Sequence, residues 1–395
     1  MANSPELRER NLGLVLTEIC RPAAPGAPAP ARSQIARRTG LHKTTVSQLA
    51  DELLAAGLIV ELPPLAAARS GRPTLPLAPN PGRLAALGLE INVEYLGLKA
   101  IDLTGAVLAE RHDAADQRGS DPARTLARLA DLARDVVARL ARRGTPVVGV
   151  GLALPGLTTT AGDRLALLNA PNLGWRDLDL RPFEARLGRP LKLDNEANFA
   201  ARAELRLAGP DPAERSFVYL SAEAGIGGGL VSDDVLTAGL HGWAGEVGHV
   251  MIDPDGPVCA CGARGCLETY AGRRAIARTV GLPASARPEA VLAAVAADPA
   301  AAKRFDDVVA ALATGLAGVL NLLDITQVVL GGDYAVLAPV LAEPLRSALQ
   351  RRTLAARWGG AEVTVRPARV ATTPAALGAA WAVLDQVLAN PAAYF

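Results

Sequence analysis

LKLDNEANFAARAEL at residues 191–205 and SFVYLSAEAGIGGGLV at 216–231 decide the fold class. The first reads as a strand, a turn at Asn195 and Glu196, and a helix; the second as two strands around a glycine turn. Upstream, VVGVGLALPG at 147–156 is a continuous apolar run, the pattern of a buried strand. Further out, LAALGLEINVEYLGLKAIDLTGAVL at 84–108 predicts a hairpin of strands, and a helix follows from Pro122 to Arg143. ITQVVLGGDYAVLAPVL at 325–341 predicts strand, Gly-Gly turn and helix. From about Leu84 onward the chain is α/β.

The first eighty residues follow another pattern. Leu7 to Cys20 reads as a helix, ended by PAAPGAPAP at 22–30, whose prolines forbid its continuation. Ser33 is placed to cap a short helix to Thr39, Gly40 supplies a tight turn, and a second helix starts near Thr44. Val46, Leu49, Ala50 and Leu53 keep helical spacing and are expected to pack inward. The other face carries Thr44, Thr45, Ser47 and Gln48, short donors and acceptors at the helix N-terminus, the end a recognition helix presents to base edges. Leu58–Leu62 and Thr74–Leu77 predict the two strands of a wing. Lys43 and the wing-loop residues Arg69 and Arg72 are candidates for phosphate or minor-groove contacts. The expectation is a winged helix-turn-helix over residues 1–83.

Charge divides the same way. Residues 1–83 hold 10 Lys and Arg against 6 Asp and Glu, whereas the remainder holds 31 against 34. A basic unit on a mildly acidic body points to a polyanion partner for the first unit only. No uncharged apolar run reaches the ~18 residues of a membrane span, and Val308–Leu323 reads as a buried helix. MANSPELRERN carries charges where a signal peptide needs an apolar stretch. Four cysteines in 395 residues are no disulfide framework, and the expected compartment is a reducing cytoplasm.

Three of those cysteines fall within eight residues. With His249, Cys259, Cys261 and Cys266 offer one imidazole and three thiolates, enough for a closed tetrahedral zinc site of structural type. Asn195 and Glu196 after a strand end, the Glu246-x-x-His249 pair, and Glu268 two residues beyond the last cysteine are polar groups of the kind that bind vicinal hydroxyls. If zinc holds the four ligands, Glu246 and Glu268 are tethered near one another by the same ion.

The order of these motifs resembles the ROK family (repressors, open reading frames, kinases), and within it the winged-helix, xylose-repressor-like branch. The residues that carry the likeness are GLEINVEY at 88–95, APNLGW at 170–175, DNEANFAA at 194–201, GIGGG at 225–229, AGEVGH at 244–249 and CACGARGCLETYAG at 259–272, with GRP at 71–73 in the wing. The resemblance implies an actin/hexokinase-like fold of two lobes around a cleft, over residues 84–395. The first lobe would take about 84–190 plus a last helix near Ala375–Leu388, and the second about 191–374. It also implies that Asn172, Asn195, Glu196, Glu246, His249 and Glu268 contact a sugar, and that His249, Cys259, Cys261 and Cys266 hold zinc.

The family's kinases bind ATP through glycine-rich turns whose bare amides approach phosphate. Where the first turn would read Asp-x-Gly-Gly-Thr, this chain has Glu90-Ile91-Asn92-Val93-Glu94. Where the second would read Gly-Thr-Gly, it has Glu223-Ala224-Gly225. Neither turn contains a Lys or Arg to offset the added carboxylates. The Asn-Asp pair that supplies the catalytic base is here Asn195-Glu196. No catalytic residue is assigned. The reading is a sugar-responsive repressor: a homodimer or homotetramer that binds operator DNA and answers to a monosaccharide, with no membrane partner. A ROK sugar kinase with a regulatory DNA-binding domain is the alternative.

Overall fold

The computed structural model describes residues 5–21, 28–64, 75–209 and 211–395. Arg69, Arg72 and Thr74 lie outside them. The N-terminal unit comprises α1 (Pro5–Cys20), α2 (Arg32–Thr39), α3 (Lys43–Ala55), β1 (Ile59–Glu61) and β2 (Leu77–Pro79). Next come β3 (Ala85–Ile91), β4 (Tyr95–Asp102), β5 (Val107–Ala114), α4 (Pro122–Arg142) and β6 (Val147–Leu154). They are followed by β7 (Leu157–Thr159), β8 (Ala166–Ala170), β9 (Trp175–Asp179), α5 (Arg181–Leu187), β10 (Leu191–Asn195) and α6 (Glu196–Arg206). The second lobe holds β11 (Phe217–Ala222), β12 (Ile226–Ser232), β13 (Val235–Leu236), α7 (Glu268–Ala271), α8 (Arg273–Thr279), α9 (Pro288–Ala297) and α10 (Pro299–Leu323). It continues through β14 (Gln327–Gly332), α11 (Asp333–Gln350), α12 (Leu354–Trp358) and β15 (Thr364–Pro367), after which α13 (Pro374–Ala389) leaves it.

Each lobe is built on a five-stranded sheet of the same design. In the first the order is β10-β6-β3-β4-β5, in the second β13-β12-β11-β14-β15. In both, an antiparallel meander of three strands is extended by two parallel strands. Two such sheets with a cleft between them make the actin/hexokinase-like fold that the resemblance implied. β10 pairs in parallel with β6, from Leu191 opposite Val150 to Asn195 opposite Leu154. The first lobe therefore extends through Asn195, beyond the expected boundary at 190. Parallel pairing to a buried neighbour satisfies both edges of β6, which a boundary at 190 would leave with one edge bare.

The last helix returns to the first lobe, as expected. α13 lies on β3, β6 and β4 and crosses α6, which in turn packs on β11 and β12. The approach is at backbone distance: a Cβ on Gly88 would overlap the Ala376 carbonyl, one on Gly151 the Ala379 carbonyl, and one on Gly378 the Phe199 carbonyl. α10, the long apolar run, turns Phe305, Val308, Leu312, Leu316 and Leu320 into the second-lobe core. By length and composition it could cross a membrane, but half of that apolar window is buried against the lobe.

The N-terminal unit is not a separate bead. Leu12, Val15, Leu16 and Ile19 of α1 share one core with Val46, Leu49 and Leu53 of α3 and with Trp381, Leu384, Val387 and Leu388 of α13. Two local expectations shift. α2 begins at Arg32, one residue before Ser33, because the Gln34 side chain accepts the Ala31 amide at 2.8 Å and supplies the cap. The described second wing strand is Leu77–Pro79, in register with Ile59–Glu61, so it begins at the residue where the expected strand Thr74–Leu77 ends.

Candidate functional site

α3 packs as its apolar spacing predicts. Val46, Leu49, Ala50 and Leu53 are buried, while Lys43, Thr44 and Gln48 are exposed and Thr45 and Ser47 half-buried. His42 caps α3: its Nδ1 accepts the Thr44 amide at 3.4 Å and lies 2.8 Å from the Thr44 hydroxyl. Thr44 is thus part of the cap as well as of the outer face. The sequence reading missed His42, although a polar residue before a helix start is a cap signal.

Between the lobes lies a cavity of about 510 Å³. All six predicted sugar residues line it: Asn172, Asn195, Glu196, Glu246, His249 and Glu268. They are not equally free. Asn195 is the N-cap of α6, accepting the Ala197 amide at 2.8 Å while its Nδ2 donates to the Gly156 carbonyl at 2.9 Å. Its work is largely to fix the turn at the cavity floor. Glu268 accepts the Ile226 amide at 3.0 Å, pinning the second glycine-rich turn to the cysteine loop. Glu196 is different: its Oε2 is buried with no hydrogen-bond partner. Asn198 donates through Nδ2 to Asp194 at 2.9 Å, which leaves its buried Oδ1 unpartnered too. Buried acceptors without donors fit a ligand that brings hydroxyl hydrogens. Asn198, Asn169 and Glu223 also line the cavity and were not predicted as sugar contacts. The signal for Asn198 was its place three residues after Asn195, on the same face of α6.

The donor atoms of His249, Cys259, Cys261 and Cys266 all lie within 4.8 Å of one another. Cys259 Sγ is 3.8 Å from His249 Nδ1, and Cys261 Sγ is 3.7 Å from Cys266 Sγ. Four ligands around a tetrahedral ion with bonds near 2.3 Å sit roughly 3.8 Å apart, so the residues fit a metal. Backbone geometry makes this possible at Gly265, whose φ of 66° lets the loop close against Asp253. His249 Nε2 lies 3.8 Å from Glu246 Oε2 on the cavity side. With Nδ1 toward Cys259 and Nε2 toward Glu246, one imidazole has a separate ring nitrogen for each of the two roles expected of it.

The two altered turns meet across the cleft. Asn92, buried at 2% exposure, donates through Nδ2 to Glu223 Oε2, and its Oδ1 accepts the Glu94 amide at 2.9 Å. Glu90 is buried as well, accepting from the Tyr95 hydroxyl and, at 2.8 Å, from the Ala376 amide at the start of α13. Burial pushes the Glu196 carboxyl well above its ordinary range, and the neighbouring Glu223 and Glu90 charges add to it. Burial pushes Glu223 up to about 7, with Glu90 and Asp333 adding and Asn92 and Arg273 opposing. Glu94 does not carry the unopposed charge expected from its sequence neighbours. Burial pushes it up, but Arg273, Arg287 and Arg118 outweigh that and hold it below its ordinary value. The offsetting arginines come from 24 to 193 residues away, where no reading of the turn alone would find them.

The raised Glu223 carboxyl has a pH consequence. The folded state holds this proton more tightly than the unfolded chain does, so its contribution is complete below the ordinary 4.5 and is lost as pH rises through about 7. Glu223→Gln keeps an acceptor for Asn92 and cannot ionise. Its melting temperature is expected to exceed that of the unsubstituted chain by a few degrees at about pH 8 and to match it near pH 5. Equal differences at both pH values would refute the assignment.

Comparisons with known proteins agree with this architecture. The chain is 25% identical over 391 residues to the xylose repressor of Bacillus subtilis, covering 98% of each. It superposes with a TM-score of 0.78 and 26% identity on the crystal structure of a ROK-family transcriptional regulator homologous to the E. coli MLC protein, covering 98% of this chain and 97% of that one. A Streptomyces griseus ROK glucokinase, solved with glucose and AMPPNP, aligns with 75% of this chain and 98% of its own at a TM-score of 0.61 and 27% identity. A sequence model of the ROK family matches residues 86–386, and with that match over a lobed, glycine-stitched core the chain belongs to the ROK family.

Proposed function

We propose that this protein is a sugar-responsive transcriptional repressor. The observation that carries this reading is the shared core of α1, α3 and α13: the helix that would enter DNA and the helix that caps the sugar lobe both pack on α1. Start to end, α13 runs from Glu90 at the cleft to α1, where a Cβ on Gly13 would lie 2.8 Å from the Ala389 carbonyl. A change in lobe arrangement therefore has a rigid path to the DNA-binding unit. Lys43, Thr44, Thr45, Ser47 and Gln48 are the residues proposed to meet DNA from α3, with Arg69 and Arg72 from the wing. A homodimer would set two such units on a palindromic operator, and the setting is the cytoplasm.

The effector is a monosaccharide held by Glu196, Glu246, His249 and Glu268 with Asn172, and by Asn198, Asn169 and Glu223 beside them. An aldose such as xylose is the first choice, in line with the repressor relatives. A structural zinc on His249, Cys259, Cys261 and Cys266 would fix His249 and Glu268 at the cavity wall. Catalysis is not part of the proposal. The phosphate-facing turns carry Glu94 and Glu223, and the Asn92–Glu223 contact occupies the approach between them.

The test is a titration of labelled operator with the full chain, repeated with a panel of aldoses and ATP–magnesium present. Operator binding is expected to weaken steeply with salt. One aldose is expected to lower operator affinity by about 5- to 150-fold, with no ADP formed. If no aldose moves operator affinity, induction fails; sugar-dependent ADP release at about 1 s⁻¹ or faster, a kinase rate, would make the chain an enzyme.

A further inference from the structure

Two groups of polar contacts join the altered turn of the first lobe to the second lobe across the cleft. In one, Asn92 of the first lobe donates to Glu223 of the second. In the other, Glu94 of the first lobe accepts from Arg273 Nη1 at 2.6 Å and from Arg287 Nη1 at 3.2 Å, both on the second. The arms share a turn, since Asn92 Oδ1 holds the Glu94 amide. On its own lobe, Arg273 is anchored by Asp333, with Nη2 donating to Oδ1 at 2.7 Å and Nε to Oδ2. The ionic arm is sheltered: the side chains of Glu94, Arg273 and Asp333 are 26%, 14% and 8% exposed. Neither Glu94 nor Arg273 lines the sugar cavity.

We propose that these residues are a clasp: the turns that no longer suit a polyphosphate hold the two lobes together across the cleft and thereby set the affinity for sugar. Asn92, Glu94 and Arg273 are positioning residues for the effector site. The inference rests on the sugar reading above and extends it to the regulation of that site.

The physical case is one of populations. The cavity is walled by both lobes, with Asn195 and Glu196 on one side and Glu223, Glu246 and Glu268 on the other. A sugar that needs both walls binds only the arrangement that brings them together, and its apparent affinity scales with the fraction of molecules in that arrangement. A neutral sugar offers hydrogen bonds alone to draw the walls in. An ion pair from lobe to lobe, partly out of water and doubled by Arg287, favours the closed arrangement before the sugar arrives. Trp243 adds a third contact at the cavity wall, donating through Nε1 to the Thr158 carbonyl at 2.8 Å. Because the clasp is ionic and the sugar is not, salt should weaken sugar binding through Glu94.

Glu94→Gln tests this with little risk to the fold, because Arg273 keeps Asp333. D-xylose and D-glucose are titrated calorimetrically into the full chain and the variant at about 50 mM and about 500 mM salt, either side of effective screening. Small-angle X-ray scattering then compares the sugar-free proteins. Expected are about tenfold weaker binding by the variant, as for a closed fraction reduced to about one in ten, a larger radius of gyration, and salt-dependent affinity only in the unsubstituted chain. Equal affinity and equal scattering overturn the clasp. Should the variant fail to fold, Arg287→Ala decides the matter. Its side chain is 69% exposed, and a smaller change of the same sign is expected, with no change overturning the proposal. If the unsubstituted chain binds neither sugar, the sugar reading loses its support and scattering alone judges the clasp.

Discussion

A Gly378→Val chain is expected to be recovered unfolded or aggregated. At this position α13 crosses α6 with no side chain between them, and even a Cβ would overlap the Phe199 carbonyl. Relief would require α13 to move off α6. But the same helix is fitted to Gly88 of β3 and Gly151 of β6, whose missing side chains admit the Ala376 and Ala379 carbonyls, so retreat opens gaps on two further contacts. Trp381, Leu384, Val387 and Leu388 would be pulled from the core they share with the N-terminal unit. At about 1.5–3 kcal/mol for each large apolar side chain exposed, the loss passes the ~4–5 kcal/mol that marks an exceptional substitution. Gly119→Val, at a turn where a Cβ meets nothing within 4 Å but φ is 66°, should cost only backbone strain, about 1–2 kcal/mol. Soluble expression and chemical denaturation of the two variants check the contrast, and equal stability would contradict the packing described.

Removing the zinc proposed for the His249, Cys259, Cys261 and Cys266 cluster is expected to have the second-largest effect. Protein prepared without chelator should contain about one zinc per chain by elemental analysis. Stripping it releases three thiols of which Cys259 and Cys266 are buried; burial and the adjacent thiols push Cys266 up to about 12. A divalent cation holds such thiols as thiolates, and part of its binding free energy, ~10 kcal/mol or more in small zinc domains, becomes stability of the second lobe. The melting temperature should fall by at least 10 °C, since each ~1 kcal/mol corresponds to a few degrees in domains of this size. Sugar-induced stabilisation should vanish with it, because His249 and Glu268 are anchored by the same loop. A metal-free chain that melts unchanged and still binds sugar would reject the site.

Much of the cavity was legible because its residues sit in short motifs. Asn195 and Glu196 follow a strand, Glu246 and His249 are three apart, and Glu268 adjoins the cysteines; local geometry brings each set together whatever the rest of the chain does. Glu94 shows the opposite case. Its sequence neighbours offer no cation, and on that basis it reads as an unopposed charge, while in the fold it holds Arg118, Arg273 and Arg287. The lobe boundary near residue 190 failed for a related reason. β10 looks like the start of a new unit, and only hydrogen bonding to β6 assigns it to the first sheet.

Sequence by itself determined the alternation of strands and helices, the helix-turn-helix with its buried Val46, Leu49 and Leu53, and the grouping of His249 with three cysteines that could hold a metal. Each is a matter of periodicity or spacing within a few dozen residues, where side-chain chemistry and backbone preference act directly. The tertiary structure alone decided that α1 and α13 share a core, that the two altered turns face each other across the cleft, and which arginines neutralise Glu94. Apart from the Arg118–Glu94 pair, 24 positions apart, those facts depend on contacts between residues more than a hundred positions apart, and such contacts are set by how whole sheets and helices pack, which no local pattern encodes.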